Sequence, residues 1–66
     1  LFEITWTTDE PATTDVFIGG TWYTDANLTT SHNRSFRGTK GAIYNYTVRS
    51  TDAAGNSATA SGTHNN

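Results

Sequence analysis

The sequence predicts an all-β domain, a sandwich of about six short strands. Three observations predict it. Apolar and polar residues alternate with a period of two in several runs, which places one face of each run in a core and the other in water. Thr and Ser fill 19 of 66 positions, and Thr favours strands through its branched Cβ. Gly, Pro, Asp and Asn punctuate the runs at short intervals. No segment repeats apolar residues at a helical spacing.

Phe2, Ile4 and Trp6 alternate with Glu3, Thr5 and Thr7, a half-buried first strand. Asp9-Glu10-Pro11 is expected to end it, because proline donates no ladder hydrogen bond. Val16 and Ile18 share a face in a second strand that Gly19-Gly20 closes. Trp22 and Tyr23 follow in a segment whose orientation stays open, and Asp25 to Leu28 reads as loop. Thr29 to Arg37 forms a weaker strand in which His32, Arg34 and Phe36 share a face. Gly38 to Gly41 is a turn. Tyr44, Tyr46 and Val48 then point inward while Asn45, Thr47 and Arg49 point out, the strongest alternation in the chain. Asp52 to Asn56 is a turn, Ala58 and Ala60 belong to the last strand, and 63–66 is expected to fray.

Composition narrows the function. The 66 residues leave room for one domain, and one this small buries only about 60% of the surface its unfolded chain exposes. There is no cysteine, hence no disulfide and no thiolate for metal or catalysis. Four basic against six acidic residues give a net charge of −2, which argues against a nucleic-acid partner, since that needs a basic stripe. No run reaches the roughly 18 apolar residues of a membrane span. The chain opens on Leu1 and carries no signal peptide, as expected of a processed product or an excerpt of a longer protein.

ITWTTDEPA and YNYTVRSTDAAGN resemble the second strand and the sixth strand with its following loop in a fibronectin type III domain. TTSHNRSF resembles the fifth strand. Trp6 matches the core tryptophan of the family and Tyr44 its tyrosine corner. The resemblance spans about residues 4 to 61. It implies an immunoglobulin-like sandwich over 1–62 with a frayed tail at 63–66. Three departures stand out. The Leu-x-Pro step before the tyrosine is missing, Arg34 occupies a usually apolar position, and the first strand of the family is absent. The backbone edge of residues 2–8, with Phe2, Ile4 and Trp6 on its inner face, is therefore expected to take a strand. Three sources compete: an upstream part of a longer chain, a neighbouring copy, or none, if six strands stand alone. The resemblance also puts Arg34, Arg37 and Lys40 at one pole and Asp9, Glu10 and Asp52 at the other, an arrangement suited to head-to-tail contacts.

Three Asn-x-Ser/Thr sequons begin at Asn27, Asn33 and Asn45, where four eligible Asn in this composition would give about one by chance. They are assigned as glycosylation acceptors, because the strand pattern turns Asn33 and Asn45 outward and leaves Asn27 in a loop. Trp22 and Tyr23 are assigned as contact residues, in the core, between subunits or as a sugar platform. Asp9, Glu10, Asp52 and Asn56 read as turn and loop residues in preference to a calcium site, and His32 as a packing residue in preference to a ligand. No cofactor is expected, and no nucleophile and base stand at a catalytic spacing.

These features point to a non-catalytic, extracellular structural module, a glycosylated repeat or subunit of a surface fibre or adhesion protein. Its partners would be neighbouring copies or adjacent domains. The alternative is an accessory or spacer module of a secreted glycoside hydrolase or other secreted enzyme, touching carbohydrate through Trp22 and Tyr23.

Overall fold

A computed structural model describes residues 1–66. The protein is all-β. Four antiparallel strands, β1 (Phe2–Ile18), β2 (Thr21–Phe36), β3 (Ile43–Thr51) and β4 (Ser57–Asn65), form one sheet in the order β2-β1-β3-β4. Four elements stand where six were expected, because two expected breaks lie inside strands. β1 and β2 pair from Phe2↔Phe36 to Thr7↔Ser31 and again from Thr14↔Asp25 to Ile18↔Thr21. Between these stretches the register shifts twice, on either side of the single pair Ala12↔Thr29. Pro11 does not end the strand: it falls in the first shift, where no ladder bond needs its missing N–H. Residues 25–28, expected as loop, lie within β2 opposite the second shift.

This irregular stretch is a corner. A straight 17-residue strand would span about 55 Å, whereas the molecule measures 39 Å along its longest axis. The core confirms the bend. Phe2 and Ile4 from the first arm of β1 cluster with Val16 and Ile18 from its second arm and with Val48 of β3. Trp6, Phe36, Tyr44 and Tyr46 pack around that cluster. The apolar alternation thus works as read, with two arms of the same strand facing each other across the core. Bulges are the usual device for turning a strand through such a corner.

His32 braces the corner and is only 2% exposed. Its Nε2 lies 2.9 Å from Thr8 Oγ1 and its Nδ1 2.7 Å from Thr14 Oγ1. Thr8 donates its own proton to the Glu10 carbonyl at 2.7 Å, so its oxygen accepts from Nε2–H. Burial favours the neutral ring, in which Nδ1 accepts from the Thr14 hydroxyl. Its face stacks on Trp6 at 5.1 Å, and Trp6 Nε1 donates to Ser50 Oγ of β3 at 2.8 Å. Sequence reading as a packing residue was therefore correct for His32, and it missed the hydrogen-bonding role.

The remaining connections are local. Gly19 and Gly20 carry φ of 60° and 80°, the left-handed pair that a two-residue hairpin between twisted strands requires. β1 meets β3 over Asp15↔Arg49 to Ile18↔Tyr46, and β3 meets β4 over Ile43↔Asn65 to Thr51↔Ser57. The tail at 63–66 does not fray. β4 runs to Asn65, Asn66 exchanges backbone hydrogen bonds with Gly41 and Ala42, and His64 stacks on Phe2 at 4.2 Å. Tyr44 Oη accepts the Thr39 N–H at 2.8 Å, and this bond holds the phenol below its usual 10.0.

Burial holds the His32 pKa below 6.5. The unfolded chain, with its ordinary imidazole, binds the proton more readily, so stability is complete above about pH 6.5 and declines as pH falls. The expected outcome is a lower urea midpoint at pH 5.5 than at pH 7.5, retained in His64→Asn. Equal midpoints at both pH values would contradict the neutral, buried ring.

Candidate functional site

Successive residues of a strand face opposite ways, so β2 sends Trp22 and Tyr23 to different surfaces. Tyr23 lies opposite Val16 and closes the rim of the core, edge-on to Phe36 at 5.2 Å with the Arg34 guanidinium 5.4 Å from its ring centre. Trp22 lies opposite Phe17 on the outer face, ring centres 5.1 Å apart. The two residues assigned as contacts therefore stand on opposite faces of the sheet. The aromatic partner of Trp22 is Phe17, which sequence reading passed over. Its signal was present: Phe17 is the apolar residue out of phase with Val16 and Ile18.

Arg49 lies over Trp22 at 4.2 Å and donates from Nε to Asp15 Oδ2 at 3.2 Å. Asp15 is only 6% exposed, and the Thr13 hydroxyl also donates to it at 3.1 Å. A carboxylate this buried needs its partners. Arg49 therefore ties β1 to β3 by charge and to β2 by stacking.

Beyond Phe17 the outer face is polar. The outward positions of β3 meet those of β4 in cross-strand rows. Thr51 and Ser57 hydroxyls are 2.7 Å apart, Thr47 and Ser61 3.2 Å, and Thr63 Oγ1 donates to Asn45 Oδ1 at 2.9 Å. Phe17, Asn45, Thr47, Ser61 and Thr63 line an open trough of about 390 Å³. Asn33 and Asn45 are exposed, as the strand pattern required, and Asn27, expected in a loop, is exposed within β2.

The second surface is the edge of the first β1 arm. Phe2 to Thr7 pairs with β2 alone, since β3 joins β1 only at 15–18 and through the bridge Ala12↔Asp52. The other backbone edge of this arm has no ladder partner. Phe2 and Ile4 are buried, and Trp6 is half-buried. Beside Trp6 the sheet leaves a hollow of about 210 Å³, floored by Val48, Ser50, Ala58 and Ala60. Ala58 and Ala60, which lie in the last strand as expected, are exposed there.

Asp9, Glu10, Asp52 and Asn56 do meet, in a trough at the corner end of the molecule. Asp52 is already committed to its turn. Its Oδ1 accepts from Asn56 N at 2.9 Å and Ala54 N at 3.0 Å, and its Oδ2 from Asn56 Nδ2 at 3.3 Å. These bonds, the one from the Asn56 backbone first, keep its carboxyl below 3.8. No three His, Cys, Asp or Glu side chains are arranged to hold a metal ion. His64 lies apart on Phe2, and both nitrogens of His32 are engaged by threonine hydroxyls.

Arg49→Lys is expected to lower stability by about 1 kcal/mol through lost stacking, and Arg49→Ala by about 2 kcal/mol by leaving Asp15 underpaired, both read from urea unfolding. Millimolar calcium is expected to leave the melting temperature unchanged. A rise would show that the corner carboxylates bind the ion.

Comparison of the chain with protein-family models, with curated proteins and with solved structures finds no match.

Proposed function

We propose that the chain is a non-catalytic structural module of the fibronectin type III kind, acting outside the cell and assembling with copies of itself through the free edge of β1. One observation carries this reading. The unpaired edge of Phe2 to Thr7 stands beside a hollow floored by Val48, Ala58 and Ala60. A strand added there would satisfy the edge and cover the small apolar floor at once. Thr5 and Thr7 are exposed and neutral, and Glu3 is the one charged side chain on the outward face of that arm, so an incoming strand meets little charge beside the hollow.

The family reading draws further support from the topology. Divided at the corner, β1 and β2 make four segments, and with β3 and β4 the total is six. The segments resembling the second and fifth strands are paired, and the second arm of β1 lies beside β3, which lies beside β4. These neighbours are those of strands B with E and of C, F and G in an immunoglobulin-like sandwich. The Tyr44–Thr39 bond has the form of a tyrosine corner. Arg37 borders the groove beside Phe2 and Tyr44 at one end, and Asp9, Glu10 and Asp52 line the trough at the other. Stacked modules would bring opposite charges together.

A second reading, an accessory module of a secreted enzyme that touches carbohydrate, rests on Trp22, which is 40% exposed beside Phe17. Tyr23 takes no part in it, being on the other face. Binding to an insoluble polysaccharide, lost in Trp22→Ala, would select this reading.

Sedimentation over a wide concentration range tests the first. Species larger than the 7.1 kDa chain are expected to grow with concentration and to weaken with salt. The Thr5→Lys/Thr7→Lys variant, charged along the edge, should stay monomeric at an unchanged melting temperature. A wild-type chain that remains monomeric at millimolar concentration would exclude self-assembly.

A further inference from the structure

The outer trough ends on a potential acceptor. Asn45 opens the sequon Asn45-Tyr46-Thr47 and is exposed at the trough wall. Its Oδ1 is held by Thr63, which leaves Nδ2 as the free atom of the amide. Phe17 lies opposite Thr47 and therefore diagonal to Asn45. In an antiparallel ladder that diagonal is roughly 7–8 Å, within the length of one sugar attached to Nδ2. The trough offers what a pyranose ring needs. Phe17, backed by Trp22, supplies an apolar face for ring C–H groups, and Thr47, Ser61 and Thr63 supply hydroxyls for the sugar's own.

We propose that Asn45 carries an N-linked glycan and that its first sugar lies in this trough against Phe17. The proposal rests on the reading of the chain as an extracellular glycoprotein module. In the modification, Asn45 Nδ2 attacks the anomeric carbon of a lipid-diphosphate-linked oligosaccharide, supplied with its transferase by the secretory pathway. The new C–N bond replaces the anomeric C–O bond, the lipid diphosphate departs with the electron pair, and the amide gives up one proton. Neither Asn27 nor Asn33 lines this trough, so the other sequons would hold freely mobile sugar. The glycan bed also gives Phe17 a partner on the side away from Trp22 and Arg49, where the face is lined by Thr, Ser and Asn.

The test secretes the 66-residue chain from a eukaryotic host, maps occupancy by peptide mass spectrometry, and trims the glycans to single N-acetylglucosamine units. Asn45 is expected to be occupied, with nuclear Overhauser contacts between its sugar and the Phe17 ring. With Asn27→Gln and Asn33→Gln in place, the trimmed form should melt about 4 °C or more above the same sequence made without glycan in a bacterium. In Phe17→Thr the two forms should melt together. The contacts are read on native Phe17, so the conclusion survives if that variant fails to fold. Occupancy without sugar–Phe17 contacts and with equal melting would overturn the glycan bed. A bare Asn45 beside an occupied Asn27 or Asn33 would overturn it and leave the glycoprotein reading standing. Three bare sequons would remove both.

Discussion

His32 sits where β1 doubles back, and its two nitrogens hold Thr8 and Thr14 on either side of the turn. Everything apolar in the molecule depends on that reversal. A period-two strand gives one apolar face, but a lone sheet has nothing to bury it against. Bending β1 lets Phe2 and Ile4 cover Val16 and Ile18, so a single strand supplies both sides of the core. The corner is itself polar, and its bonds to Thr8, Thr14 and the Glu10 carbonyl satisfy groups that burial would otherwise leave costly.

The core that results is small. Five buried apolar residues form its centre, and only Val16 is wholly enclosed. Aromatic contacts extend it: Phe2 touches Phe36, Tyr44 and His64 with ring centres 5.7, 5.2 and 4.2 Å apart. Close packing also explains Gly62, where a Cβ would come within 2.5 Å of Tyr46 Oη. On the solvent side, cross-strand hydroxyl pairs contribute a few tenths of a kcal/mol each. The strands are thereby fixed on both faces, through rings on one and hydroxyls on the other.

The two proposed interaction surfaces do not compete. The hollow beside Trp6 is floored by Ala58 and Ala60, whereas the trough is walled by Ser61 and Thr63. These alternate along β4 and so belong to opposite faces of it. A strand could join the β1 edge while sugar occupies the outer trough. A module built this way would meet neighbours along its edge and keep its broad face hydrated.

The sequence by itself determined which side chains face inward within each run. Tyr44, Tyr46 and Val48 against Asn45, Thr47 and Arg49 needed only the pleat, as did the outward turn of Asn33 and Asn45. The Gly19-Gly20 hairpin was also local, since only glycine accepts its backbone angles cheaply. Tertiary structure decided the rest. Whether Asp9-Glu10-Pro11 ended a strand or turned it depended on pairing with residues of β2 about twenty positions away. The tail at 63–66 was ordered by Phe2, Gly41 and Ala42. The orientation of Trp22 and Tyr23 awaited the register that set one opposite Phe17 and the other opposite Val16. Alternation is a property of neighbouring residues, whereas bends, tails and strand partners are fixed by contacts between distant ones.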